Sequence, residues 1–220
     1  MTLETRPDLT VEFSRQRDLL LEQGYPRLAG LTTQRFRTAL DAVWSAIESW
    51  HTLPAAPERA GHLPFALVVG TAPAEAMLQT VHLPGRTTPG ILDRNHGEAG
   101  LTPYRPIPGA EPPADLYAIV GVDRGDEFRG EAPREAVATL LSRGRSPLTI
   151  SEGLAVQVVA PALLQPNHGF SLAGSRRADR GNAKRVPALW ISGRAPKLGW
   201  CWEGNPHSWL GTASTAARLA

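Results

Sequence analysis

The apolar positions follow a helical period at the start of the chain. Residues 10–23 read as a helix that stops at Gly24, with Pro26 beyond. A second helix starts at Thr32 or Thr33, either of which can cap it. Phe36, Leu40, Val43, Trp44, Ile47 and Trp50 then fall on one face, which predicts core packing. The segment LPAAPE (53–58) breaks the chain. Two short apolar runs follow, FALVVG (65–70) and the partly alternating AMLQTVHL (76–83), and together they predict a hairpin across TAPAE. LYAIVGV (116–122) is a further strand. The continuous runs suit strands covered on both faces. Next come two helices. One begins at Pro133, with Glu131 and Glu135 near its positive end, a face of Val137, Leu140 and Leu141, and Gly144 as its stop. The other has a capping box of Thr149 and Glu152, runs to about Val159, and ends at Pro161.

The last third reads as a meander: GFSLAG (169–174), RVPALWIS (185–192) and KLGWCW (197–202), the latter two joined by a turn over 193–196. Pro187 favours an edge position or a bulge for the middle strand. Leu198, Trp200 and Trp202 share one face of the third, and Cys201 points the other way. Three strands at simple meander order put His168, before the first, and His207, after the third, at opposite ends. The pattern as a whole predicts an α+β fold, with a mixed or antiparallel central sheet, an N-terminal helical pair and two mid-chain helices packed on it. It reads as one domain over 1–220. Between these elements, 84–113 shows no sustained period, and such long stretches in compact domains are usually functional or disordered.

Composition narrows the classes. Hydrophobic residues are 42% and net charge is +2, which excludes an intrinsically disordered chain. The single cysteine, Cys201, rules out an intrachain disulfide and fits a reducing compartment. The start of the chain is charged and lacks the apolar region of a signal peptide, and no apolar run approaches about 18 residues. These features predict a cytoplasmic protein without a membrane partner. Basic residues are nearly all arginine, with only Lys184 and Lys197 as lysines, which reads as the imprint of a GC-rich bacterial genome. Charge gathers late: Arg176, Arg177, Arg180, Lys184, Arg185, Arg194 and Lys197 face Asp179 alone between 176 and 197.

The signatures G-x-S-x-G, Walker P-loop, H-E-x-x-H and G-x-G-x-x-G are absent, so a standard hydrolase, NTPase, zincin or Rossmann enzyme has no support. Asp93 and His96, three apart in DRNH, are the candidate proton-transfer pair, because histidine titrates near neutral pH and a carboxylate can orient it. Asp93, His96, His168, His207 and Cys201 carry ligand atoms but show no ligand spacing, so neither a metal nor another cofactor is predicted. Cys201 with His207 and Asn205 resembles a nucleophile, base and orienter. The flanking Trp200 and Trp202 instead suggest a small buried thiol.

The blocks SPLTISEGLA, FSLAGSR, VPALWIS and PKLGWCWEGNPHSWLG, within about 145–211, resemble a bacterial family described only as a domain of unknown function. The resemblance implies no reaction, cofactor or catalytic residue. The residues themselves suggest a small-molecule enzyme or ligand-binding protein with a pocket at the end of the sheet, covered by 84–113, for an anionic or aromatic organic ligand. Asp93 and His96 would handle protons, Arg176 would hold an anionic group, and Trp202 and Trp209 would stack on the ligand, with Tyr104 and His207 contributing. The alternative is an interaction module that binds nucleic acid or an acidic protein through the basic, Trp-rich last third.

Overall fold

The computed structural model describes residues 9–50, 60–179, 181 and 183–220. The break at 53–58, Arg180 and the charged start of the chain lie outside the described residues. Helix α1 (Leu9–Glu22) stops just before Gly24, which adopts a left-handed φ of 76°. Pro26 lies in the first turn of the short α2 (Tyr25–Leu28). Helix α3 (Thr33–Ser49) is capped by the Thr32 hydroxyl, which accepts from the Arg35 N–H. Its predicted stripe faces the core: Phe36, Leu40, Val43 and Ile47 are buried, and Trp44 and Trp50 pack at its margin.

Strand β1 (His62–Val69) does not form the predicted hairpin. The second run is a helix, α4 (Ala74–Thr80). Met77, Leu78 and Val81 all bury, at a helical spacing, and the alternation over 76–83 was too weak to outweigh the helix-forming AEAMLQ. The partner of β1 comes from further along. After β2 (Ile91–Leu92) and β3 (Tyr104–Pro106) comes β4 (Leu116–Asp123), which pairs with β1 antiparallel from His62↔Asp123 to Val69↔Leu116. Phe65 to Val69 and Leu116 to Val120 are all buried. Successive strand residues point to opposite faces, so both faces of this pair are covered, as the continuous runs predicted.

The outer edge of β1 is closed by a side chain. The buried Gln16 of α1 donates to the Phe65 carbonyl at 3.1 Å and accepts from the Leu67 N–H at 2.9 Å. Its amide thus occupies the place that another strand's peptide group would take.

Helix α5 (Pro133–Ser142) starts at Pro133, and Gly144 beyond it is left-handed with φ 69°. Leu140 is buried, but Leu141 is 55% exposed, so the predicted face is narrower by that residue. After β5 (Ser146–Pro147) comes α6 (Ile150–Val159), with both halves of the predicted capping box formed. Strands β6 (Gly169–Ser171), β7 (Ser175–Arg177), β8 (Arg185–Ser192), β9 (Ala195–Trp202), β10 (Leu210–Thr212), β11 (Ser214–Thr215) and β12 (Ala217–Leu219) complete the described fold.

The fold is α+β. The strands divide among a sheet ordered β1-β4-β11-β5, with β12 also on β4, a sheet ordered β10-β6-β8-β9-β2, and the pair β3-β7. The first is antiparallel. The second is mixed, because β10 runs parallel to β6 and β2 parallel to β9. Its centre keeps the meander order β6, β8, β9. Pro187 lies inside this sheet, not at an edge. Its carbonyl accepts from the Leu172 N–H, so its N–H-less nitrogen faces the side where β6 has already ended, and the ladder to β9 is left whole. Among the described residues no helix is long and apolar enough to cross a membrane.

Candidate functional site

The β8–β9 hairpin builds the site. It closes through Gly193 and Arg194, with φ values of 59° and 62°; positive φ at both central residues marks the tight turn whose twist matches its strands. That turn sets the register Trp190↔Lys197, Ala188↔Gly199 and Val186↔Cys201, so these side chains share one face. Gly199 leaves room for the Trp190 ring to lie on the sheet. A Cβ there would stand 2.1 Å from Trp190 Cη2. Gly169 does the same nearby, since a Cβ would come within 3.2 Å of the Trp209 ring and 3.1 Å of Trp190 Cβ.

After β9 the chain turns back across this face instead of continuing outward. The return over 203–209 is pinned at several points. The Arg134 N–H donates to the Glu203 carbonyl, the Gly130 N–H to the His207 carbonyl, and the Gly169 N–H to the Trp209 carbonyl. The opposite-ends expectation for His168 and His207 therefore fails, because the return delivers His207 to the start of β6.

A cavity of about 510 Å³ opens here. Trp190, Trp209, His207, Asn205, Asn167 and Gln165 form its walls, and Gly169, Ala188, Cys201 and Leu210 its floor. Trp190 and Trp209 meet at 65° with centroids 5.8 Å apart, and His207 packs on Trp209 at 5.3 Å. Asn167 holds a left-handed φ of 59°. Trp200 and Trp202 border the cavity, but strand alternation sends their rings to the face opposite Cys201. There Trp200 Nε1 donates to the Asn95 carbonyl and the Arg185 guanidinium lies 4.1 Å from the Trp200 ring centroid. Trp202 remains 41% exposed.

The structure divides the residues predicted from sequence. Trp202, His207 and Trp209 border the cavity; Asp93, His96, Tyr104 and Arg176 are not on its walls. Asp93 is buried and paired with Lys197, Oδ2 to Nζ 2.6 Å, and Lys197 in turn stands 5.9 Å from the Trp190 ring. Burial pushes the Asp93 carboxyl up, but the Lys197 ammonium and the Asn95 N–H outweigh it and hold it below the ordinary range. His96 is 2% exposed and packs edge-on against Tyr104 at 5.6 Å. Arg177 donates to the His96 carbonyl, and its guanidinium lies 5.6 Å from the centre of the Tyr104 ring. Burial, then the Arg177 charge, push the His96 pKa below its usual 6.5. The same burial raises the Tyr104 phenol to about 12. Tyr104 belongs to the main core, as do Leu189 and Leu198, whose side chains alternate with Ala188 and Gly199. The sheet therefore stands between His96 and the cavity. The stretch 84–113 supplies none of the cavity's lining residues, so it does not cover the cavity as expected.

Arg176 donates to the Ala173 and Ser175 carbonyls instead of pointing at a ligand. Its charge opposes the dominant effect of burial on Cys201, whose thiol is nonetheless pushed up to about 11. Cys201 is thus a protonated floor residue near neutral pH, not an activated nucleophile. His168 is held by Asp126, 3.1 Å from Nδ1, and by Arg124 at 3.2 Å. Among the described residues no three of His, Cys, Asp and Glu are grouped to hold a metal ion.

Gln165 and Asn167 were not singled out from sequence. The available signal was the pairing of strand glycines with tryptophans on neighbouring strands, which becomes visible only once register is known. The model of a family of unknown function (DUF5701) matches residues 19–220. No curated protein and no solved structure matches the chain.

Proposed function

The chain belongs to that family, whose description carries no chemistry, and from its geometry we propose that it is a small-molecule-binding protein whose site is the cavity on the face of the β8–β9 hairpin. The observation that carries this reading is the meeting of Trp190, Trp209 and His207 over one concavity of about 510 Å³, with amide side chains at the same walls. Such cavities, apolar with a few convergent polar groups, are the usual form of organic-ligand sites. Binding is favoured over catalysis because the cavity thiol is protonated and the expected proton-transfer pair lies off its walls. An anionic ligand loses support: Arg176 is spent on backbone carbonyls and Lys197 on Asp93.

The interaction-module reading loses support for the same reason. Arg177 is paired with Asp179 at 2.7 Å, and Arg185 lies over Trp200, so several cations of the basic stretch are engaged internally. Nucleic-acid binding draws on cations free to replace counterions.

The test is a fragment screen read by intrinsic tryptophan fluorescence and thermal shift. A hit should lose affinity by about tenfold or more in Trp209→Ala, as expected when an aromatic contact and its buried area are removed. The same hit should bind His96→Gln within about twofold, where less than 0.5 kcal/mol is at stake. A library that yields no saturable shift, or hits indifferent to Trp209, removes the proposal.

A further inference from the structure

The walls of the cavity also select a class of ligand, an inference that rests on the cavity being a binding site. No carboxylate, ammonium or guanidinium group belongs to the residues that line it. Its polar members are the amides of Gln165, Asn167 and Asn205 and the His207 imidazole. An amide offers a donor and an acceptor in one planar group, and an imidazole ring carries two nitrogens able to hydrogen-bond. Their natural complement is the hydroxyl group, which also donates and accepts.

Ring geometry admits such a ligand. Trp190 and Trp209 meet at 65°, making a corner and not a slot between parallel faces. A flat aromatic ligand also fits such a corner, offset-stacked on one wall and edge-on to the other, since both contacts are favourable, but it brings few hydroxyl groups to the amides around it. A saccharide ring carries C–H groups on its faces and hydroxyls around its rim, so it lays a C–H face on a tryptophan while its hydroxyls reach the amides and His207. Cationic ligands are disfavoured, because cations already stand near neighbouring rings: Arg185 at 4.1 Å from Trp200 and Lys197 at 5.9 Å from Trp190.

We propose that the cavity binds a neutral saccharide unit, its C–H face against the Trp190–Trp209 corner and its hydroxyls on Asn167, Asn205 and His207. No bond is made or broken in this step.

The test is calorimetric titration of the full chain, with tryptophan fluorescence alongside. The panel holds neutral hexoses, N-acetylhexosamines and their disaccharides, with glucuronate, choline and adenosine as contrasts. The expected result is saturable binding of at least one neutral sugar, weakened about tenfold or more in Trp209→Phe and in Asn205→Ala with unchanged circular dichroism. A charged or aromatic contrast that saturates while no neutral sugar does so up to about 10 mM overturns the saccharide assignment and leaves the cavity as a site for another ligand. If neither the panel nor the fragment library binds, the binding-site reading falls with it.

Discussion

Among the described residues Arg218, in the last strand, is the only formal countercharge in contact with Glu152, and replacing it gives a sharp test of how that buried carboxylate is held. Glu152 is fully buried at the first turn of α6. Its carboxylate accepts Arg218 Nε at 2.6 Å and Nη2 at 2.9 Å, the Thr149 N–H at 2.7 Å, and the Tyr117 hydroxyl at 3.2 Å. Arg218 also donates to Ser146 Oγ and the Pro147 carbonyl. Arg218→Met keeps the aliphatic stem and removes the charge. Glu152 then retains two neutral donors and stays out of water, a situation that costs about 3–5 kcal/mol. Total stabilities are about 5–15 kcal/mol, so about a fifth or more of the margin goes. In urea the midpoint should fall by roughly 1–2 M at an unchanged slope. Glu152→Gln added to Arg218→Met removes the stranded charge while a glutamine keeps the capping box. The double variant should recover most of the loss. A single variant within about 1 kcal/mol of the parent, or a double variant no better than the single, refutes the reasoning.

Other outcomes follow from the same physics. Gln16→Leu strands the Phe65 carbonyl and the Leu67 N–H under α1, so it should cost about 2–6 kcal/mol at about one to three per orphaned group, read by thermal unfolding. The His96 pKa lies below its unfolded value of 6.5, so the unfolded chain takes up this proton first; the stability due to neutral His96 is whole above pH 6.5 and is lost as pH falls from there towards the folded pKa. His96→Gln should remove that share of the acid slope in denaturation curves taken at successive pH values, and an identical slope would contradict the burial. Cys201 is buried and its thiol is pushed up to about 11, so native protein at pH 7.5 should react with a thiol reagent at least about a hundredfold more slowly than protein in urea. Equal rates would place the thiol in solvent.

Most of the framework is legible in the sequence because its signals are local. Pro133 with Gly144, the Thr149–Glu152 box and the stripe on α3 each specify an element within one short window, and each element forms. The failures are long-range. Residues 76–83 carry a mixed pattern that only the burial of Met77, Leu78 and Val81 resolves in favour of a helix. The true partner of β1 lies some fifty residues on, at β4, where no turn signal can announce it. The site divides in the same way. Trp202, His207 and Trp209 stand out as late aromatic residues and do reach the cavity. Asp93 and His96 look catalytic by spacing, but spacing does not show that Asp93 is taken up by Lys197 or that His96 buries against Tyr104, both off the cavity walls. The return of 203–209 across the sheet, which brings His207 into the same cavity lining as Asn167, has no trace in hydrophobic periodicity.

The walls of the cavity are mounted on paired strands and on a return segment tied to the body by backbone hydrogen bonds, so its shape exists before any ligand arrives. If the cavity binds as proposed, its ligand would meet a finished surface and spend little on ordering it. Capture should therefore follow a single phase whose rate rises in proportion to concentration, with no plateau from a slow closing motion. Different ligands should then be told apart by how long they stay, not by how fast they enter.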